Sequence, residues 1–284
     1  MARKLVLSLM ILAAAVAGAQ EAPPKPEKPA KPEKPAKPAG RDGLPKAETI
    51  LDGYVEATGG EKAYEKLKSR VTRGTVTLGE VGLSGKIETW HQAPDHYYSK
   101  VSLGALGDTE TGYDGRTAWK VTLGTASKMS GPERAFFVRE ATFNADLKWR
   151  ELTKSVETVG VEDVNGKPAY KIKAVTTDGH AMYLYYDKYS NLLVRVDAKV
   201  VTELGQVDVE VYPSDYKEVD GILVPHLTTQ RMIGMLQTVR VDSVEFNVKI
   251  PAEKFETPKA VKQLRDDGGD APPRKGAKPR RKEP

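Results

Sequence analysis

Residues 155–187 read SVETVGVEDVNGKPAYKIKAVTTDGHAMYLYYD. Three runs, near 155–164, 167–177 and 181–187, alternate apolar and polar side chains and are separated by Asn165-Gly166 and Asp178-Gly179. A period of two sends successive side chains to opposite faces of a strand. An Asx-Gly pair accepts the positive φ that a tight hairpin turn demands. The stretch is therefore expected to be an antiparallel meander.

The same grammar extends in both directions. Toward the C-terminus, strands are expected at 191–203 and 206–219 around Leu204-Gly205. Another pair, at 222–233 and 236–248, follows Asp220-Gly221 and turns near Gly234. Toward the N-terminus, alternation begins at Ser69 and continues through 85–91, 96–103, 109–113 and 117–123, with Asp114-Gly115 as a hairpin turn. Two segments break the pattern. In 47–58, Ile50, Leu51, Tyr54 and Val55 make the stripe of a helix with one buried face, and Gly59-Gly60 ends it. A short turn follows with Ala63, Tyr64 and Leu67 on one side. The second interruption starts at Pro132, a favoured first-turn position, carries Ala135, Phe136, Val138 and Arg139, and is expected to run to about 144.

The ends of the chain have a different composition. Arg3 and Lys4 precede an apolar run over 5–16 broken by Ser8, and Ala17-Gly18-Ala19 supplies the small-x-small pattern of a cleavage site. Residues 1–19 read as a signal peptide cleaved after Ala19, which implies export to the periplasm as a soluble protein. The apolar run is too short to span a bilayer comfortably. The chain has no cysteine, so lipid anchoring through a thiol, disulfides and cysteine-ligated metal are all excluded.

Residues 20–46 contain Lys-Pro-Glu-Lys-Pro-Ala at 25–30 and again at 31–36, the composition of an extended, disordered polyproline-II linker. Residues 259–284 read as a basic disordered tail. The signal contributes +2, the linker +3 and the tail +5 to a chain of net +5, which leaves −5 on residues 47–258. A nucleic-acid binder carries its basic patch on the folded surface, so nucleic acid is not an expected partner. The tail and linker lysines instead suit an anionic membrane or cell-wall surface.

Catalytic and cofactor patterns are weak. His91 and His96 flank Pro94 at a spacing that fits neither a helical pair nor one strand face, and His180 adjoins a turn. Ser84 sits in Gly82-Leu83-Ser84-Gly85, which is not a nucleophile elbow. Leu103-Gly104-Ala105-Leu106-Gly107 lacks the lysine and following helix of a phosphate loop and reads as a hairpin connection. No catalytic residue, metal or cofactor is expected, and the chain reads as a binder, not an enzyme.

Several motifs together resemble a known family. They are Ala57-Thr58-Gly59-Gly60 after the opening helix and Tyr113-Asp114-Gly115-Arg116-Thr117-Ala118-Trp119. Leu184-Tyr185-Tyr186-Asp187 with Leu192-Leu193-Val194-Arg195 joins them, as does Ser214-Asp215-Tyr216 through Asp220-Gly221-Ile222-Leu223-Val224-Pro225. Over 47–258 the chain resembles the periplasmic outer-membrane lipoprotein-sorting and lipoprotein-carrier-like (LolA/LolB-like) family. The resemblance implies a mainly β (α+β) fold: a curved incomplete antiparallel β-barrel with an N-terminal helix and an inserted covering helix. It also implies a hydrophobic cavity for lipoprotein acyl chains or another lipid. It carries over no binding residue. Aromatic and apolar candidates for the cavity wall are Trp90, Tyr98, Trp119, Phe136, Phe137, Tyr185 and Met232, each also a plausible ordinary core residue. The alternative is an envelope protein-interaction or stress-sensing module on the same fold with the cavity filled.

Overall fold

The computed structural model describes residues 43–79, 82–202, 205–232 and 235–264. The expected signal peptide, the hexad-repeat linker up to residue 42 and the tail from residue 265 lie outside these residues.

Among the described residues, thirteen strands form one antiparallel sheet. In chain order they are β1 Ser69–Leu78, β2 Leu83–Gln92, β3 His96–Ser102, β4 Asp108–Tyr113, β5 Ala118–Thr122, β6 Thr125–Lys128, β7 Thr153–Val164, β8 Lys167–Thr176, β9 Ala181–Asp187, β10 Leu193–Thr202, β11 Gly205–Val219, β12 Ile222–Met232 and β13 Met235–Phe246. Neighbours in sequence are neighbours in space, except that β1 pairs with β13. The two meanders, β1–β6 and β7–β13, are thereby joined back to back, and β6 and β7 remain as free edges. The barrel is curved and incomplete, as the resemblance implied. The helices are α1 Ala47–Ala57, α2 Glu61–Tyr64, α3 Gly131–Glu140, α4 Trp149–Leu152 and α5 Lys259–Lys262. The segment with α3 and α4 links β6 to β7, so the chain itself bridges the open side of the sheet.

The turn chemistry works as the sequence demands at two of the four Asx-Gly pairs, while at Asp114-Gly115 and Asp178-Gly179 only the glycine takes positive φ, 85° and 89°. Asn165 and Gly166 both take positive φ, 53° and 81°, as do Asp220 and Gly221, 51° and 80°. Leu123 and Gly124 do the same, at 51° and 79°, and create the hairpin of β5 with β6. That sixth strand was not expected, because leucine is an unusual residue at a left-handed position. The inserted helix also stops earlier than expected. It ends at Glu140, and Asn144 turns the chain with φ 50°. Pro213 interrupts the donors of β11, and Asp215, at φ 51°, is skipped in the register between Ser214–Leu227 and Tyr216–Pro225.

Folded structure reaches past the boundaries drawn at 47 and 258. The Pro45 carbonyl accepts a hydrogen bond from Thr158 Oγ1 at 2.8 Å. Val261 of α5 is fully buried, and Lys128 Nζ donates to the Leu264 carbonyl at 2.9 Å. One buried valine among lysines leaves no readable period, which is why this turn merges into the basic tail on sequence alone.

The Ala57-Thr58-Gly59-Gly60 motif is where α1 is fixed to the sheet. Thr58 Oγ1 donates to the Tyr54 carbonyl, Tyr64 Oη donates to Thr58 Oγ1, and the Leu223 amide donates to the Thr58 carbonyl, each at 2.9 Å. Gly59 has φ 135°, and a Cβ there would stand 2.5 Å from the Gly221 carbonyl oxygen and 2.9 Å from Ile222 Cδ1. Gly59→Ala is expected to destabilise the protein by about 2–4 kcal/mol, combining backbone strain with overpacking. Urea unfolding measures the loss, and a variant within about 0.5 kcal/mol of the parent would contradict this packing.

Candidate functional site

The two faces of the sheet are covered differently. On the inner face, Ile50, Leu51 and Tyr54 of α1, together with Tyr64, Phe143 and Trp149, pack against Ile172, Leu184, Tyr186, Leu193, Val196 and Val209. Farther round the same face, Phe137 and Val138 of α3 pack with Tyr97, Tyr113 and Ala118. A third apolar group, Val76, Leu78, Ile87, Val101 and Val239, lies on β1–β3 and β13.

Helix α3 is unusual in this setting. Ala135, Phe136, Phe137 and Val138 are consecutive, so they point around the helix and cannot share one face. All of them are only half-buried, and Arg139 is the buried residue of the helix. The Arg139 guanidinium, 6% exposed, reaches both carboxylate oxygens of Asp178 at 3.1 Å and so holds α3 to the β8–β9 turn. Burial opposes the charged form of Asp178, but Thr176, Arg139 and His180 outweigh it and hold its carboxyl below the usual range.

Several polar groups stand among the apolar side chains of the inner face. His91 Nε2 contacts the Ala141 carbonyl at 2.7 Å and Nδ1 faces Arg70 at 3.3 Å, an arrangement that suits the neutral ring with its proton on Nε2. Thr89 and Ser99 share a hydroxyl contact at 3.3 Å. Gln230 lies directly opposite Gln237 between β12 and β13. Asp146 lies in the turn after α3, where burial pushes its carboxyl up to about 7 against the pull of Arg70.

The candidate cavity residues do not line one surface. Phe136 and Met232 pack against the main inner cluster, and Phe137 lies beside Tyr97 with ring centroids 5.5 Å apart. Trp90, Tyr98 and Trp119 face the other way, where Ile250, Phe255 and Val261 of the C-terminal segment cover them. Lys254 Nζ sits 3.6 Å from the Trp90 ring centroid and 4.4 Å from that of Tyr98, and burial lowers its pKa. Gly112 makes room for Trp119, since a Cβ there would meet the indole at 2.4 Å. Tyr185 is on the outer face too, donating to Asp197 at 2.7 Å beneath the Arg195 guanidinium.

An open groove of about 830 Å³ also lies away from the inner face, at the β3–β4 and β5–β6 turns beside Leu106, Val121 and Leu123. Sequence reading missed Gln230, Gln237 and Asp146. Strand parity, counted from the Asp220-Gly221 turn through the inward Ile222 and Val224, would have put Gln230 inside. His91 and His96 fall on opposite faces, as their spacing indicated: the His96 ring meets Phe255 edge to face with centroids 5.6 Å apart. Among the described residues no group of histidines and carboxylates could hold a metal ion, and no helix is long and apolar enough to cross a membrane.

No family model matches the sequence, and no curated protein does. Solved structures do share the fold. A DUF1329 family protein from Desulfovibrio piger is 14% identical with a TM-score of 0.53, covering 74% of this chain and 96% of its own. A domain assigned to outer-membrane lipoprotein sorting from Vibrio parahaemolyticus is 13% identical with a TM-score of 0.50, covering 74% and 97%. A LolA superfamily protein from Nitrosomonas europaea is 10% identical with a TM-score of 0.51, covering 75% and 99%. At these identities the likeness is one of fold, and at that level the resemblance read from the motifs holds.

Proposed function

We propose that this protein binds a lipophilic ligand, a lipoprotein acyl chain or another lipid, on the inner face of its incomplete barrel beneath α3, and carries it in the cell envelope. The observation that carries this reading is α3 itself. It brings Phe136, Phe137 and Val138 over the open side of a curved sheet and leaves all three half-buried. Burying such a side chain completely from water is worth about 1.5–3 kcal/mol, and an apolar chain lying beneath the helix would supply the fraction still outstanding. The signal-peptide reading agrees with an envelope role, and the fold is shared with a lipoprotein-sorting domain. The chemistry is binding: no step here requires a nucleophile or general acid, and the buried histidine and carboxylate belong to the packing of the inner face.

A fluorescent fatty-acid probe whose emission rises in apolar surroundings tests the location. Phe136→Asp and Met232→Asp are each expected to weaken probe binding at least about tenfold, because a carboxylate would have to be desolvated there. Trp90→Phe, on the outer face, is expected to leave binding unchanged. Binding that survives both inner-face changes, with folding verified by circular dichroism, would sink the proposed location.

A further inference from the structure

On the inner face, Gln230 and Gln237 form a directly opposed pair across β12 and β13. Both are buried, 3% and 7% exposed. Gln230 Oε1 and Gln237 Nε2 have no hydrogen-bond partner in the protein. The surroundings are mostly apolar: Val211 stands opposite Gln230 on β11 and Leu78 opposite Gln237 on β1, both buried, and Thr228 is the polar neighbour along β12. Met232 and Val239, two residues further along each strand, share this face. Valine at both positions would have joined the main inner cluster to the group on β1–β3 without a break. The sequence instead keeps two amides there, and a buried polar group without a partner bears its full desolvation penalty.

The two orphan atoms are complementary. One is an acceptor and the other a donor, so a single group that accepts and donates together satisfies both. Building on the binding reading above, we infer that the ligand is a long-chain molecule bearing such a group at the Gln230–Gln237 pair: a neutral carboxylic acid, a primary amide or an alcohol. Gln237 Nε2–H donates to its oxygen, and its own proton goes to Gln230 Oε1. An ester offers only acceptors and a hydrocarbon offers neither, so both leave Gln230 Oε1 unpaired in the complex. The pair selects ligands by the penalty of mismatch, while the apolar walls supply the attraction.

The test uses the full-length chain and displacement of the fluorescent fatty-acid probe by dodecanamide, dodecanol, methyl dodecanoate and dodecane. The readout is the ratio of amide affinity to ester affinity, compared between the parent and the Gln230→Met, Gln237→Met double variant. Methionine keeps length and volume while removing both hydrogen-bonding groups. The expected ratio falls by roughly tenfold or more in the double variant, and dodecanol relative to dodecane falls with it. Binding of dodecane itself is expected to hold or improve. The melting temperature is expected to stay level or rise, since two unpaired buried amides are gone.

An unchanged ratio with the probe still bound would overturn the selective role and leave the binding reading intact. A clear fall in melting temperature would also overturn it, by showing that the fold itself uses the pair. Failure of the parent to bind the probe at all would instead remove the binding reading on which the inference stands.

Discussion

Tyr186→Ala is expected to lower the unfolding free energy by about 3–5 kcal/mol, among the largest effects of any single substitution in the protein. Tyr186 is 1% exposed and meets the Tyr54 ring at 5.5 Å, where α1 crosses the inner face of the sheet. Removing it empties the space between helix and sheet at a point framed by Leu193 and Ile172, both fully buried. The adjacent Tyr185 is equally buried but faces outward, and its hydroxyl donates to Asp197. Tyr185→Phe keeps the ring and is expected to cost only about 1 kcal/mol, the net worth of one hydrogen bond. Urea unfolding of the two variants side by side measures the contrast. Comparable losses would mean that the two faces are not divided as described.

The second large effect concerns pH. His91 is fully buried, and burial, reinforced by Arg70 and Lys148 against the Ala141 hydrogen bond, lowers its pKa from 6.5 to about 3. Asp146, whose charge opposes ionisation of Tyr54, Tyr64, Tyr186 and Tyr216, is raised from 3.8 to about 7 by burial, with Arg70 opposing. Between about pH 4 and 6.5, the folded protein therefore holds one proton fewer at His91 than the unfolded chain and one proton more at Asp146. Stability from neutral His91 falls as pH drops below 6.5. Stability from protonated Asp146 is complete below the unfolded value and is lost as pH rises toward 7. The two slopes oppose each other, and this pair leaves the parent nearly flat over the window.

Single substitutions should expose each slope. Asp146→Asn is expected to gain about 1.4 kcal/mol of stability per pH unit from pH 4 to 6.5, and His91→Gln to lose a similar amount per unit over the same range. Asp114, Asp178 and Asp187, all held below the usual carboxylate range, act below this window. Urea titrations at half-unit intervals decide the matter. Parallel curves for parent and variants would mean that neither group carries its proton as described.

The sheet was legible because its signals are local. Asn165-Gly166 and Asp220-Gly221 announce hairpins through backbone geometry that few other dipeptides accept, and the period of two between them needs no tertiary information. Leu123-Gly124 makes the same turn without the polar residue, so β6 stayed hidden. The open edges and the pairing of β1 with β13 depend on contacts far apart in sequence; the family resemblance implied an incomplete barrel, and the pairing itself has no local signal. Face assignment was the weak step. Tyr98, Trp119 and Tyr185 are large and buried and Trp90 is half-buried, which marks them as packed without saying against what. The outer face acquired its own cover from residues 248–264, whose composition gives little hint of it. Phe136, Phe137 and Met232 carry the same composition signal as the outward-facing candidates and lie on the inner face. Gln230 and Gln237 were passed over because a glutamine in an exposed-looking strand carries no signal until its face is known.

Native mass spectrometry of the full-length chain, purified from the cell envelope without detergent and followed by solvent extraction, tests the binding reading most directly. The expected spectrum shows a stoichiometric lipid adduct that extraction removes, and the released molecule is a long-chain compound with a hydroxyl, amide or carboxylic acid group. A clean unliganded mass, together with no uptake of the fatty-acid probe, would contradict it.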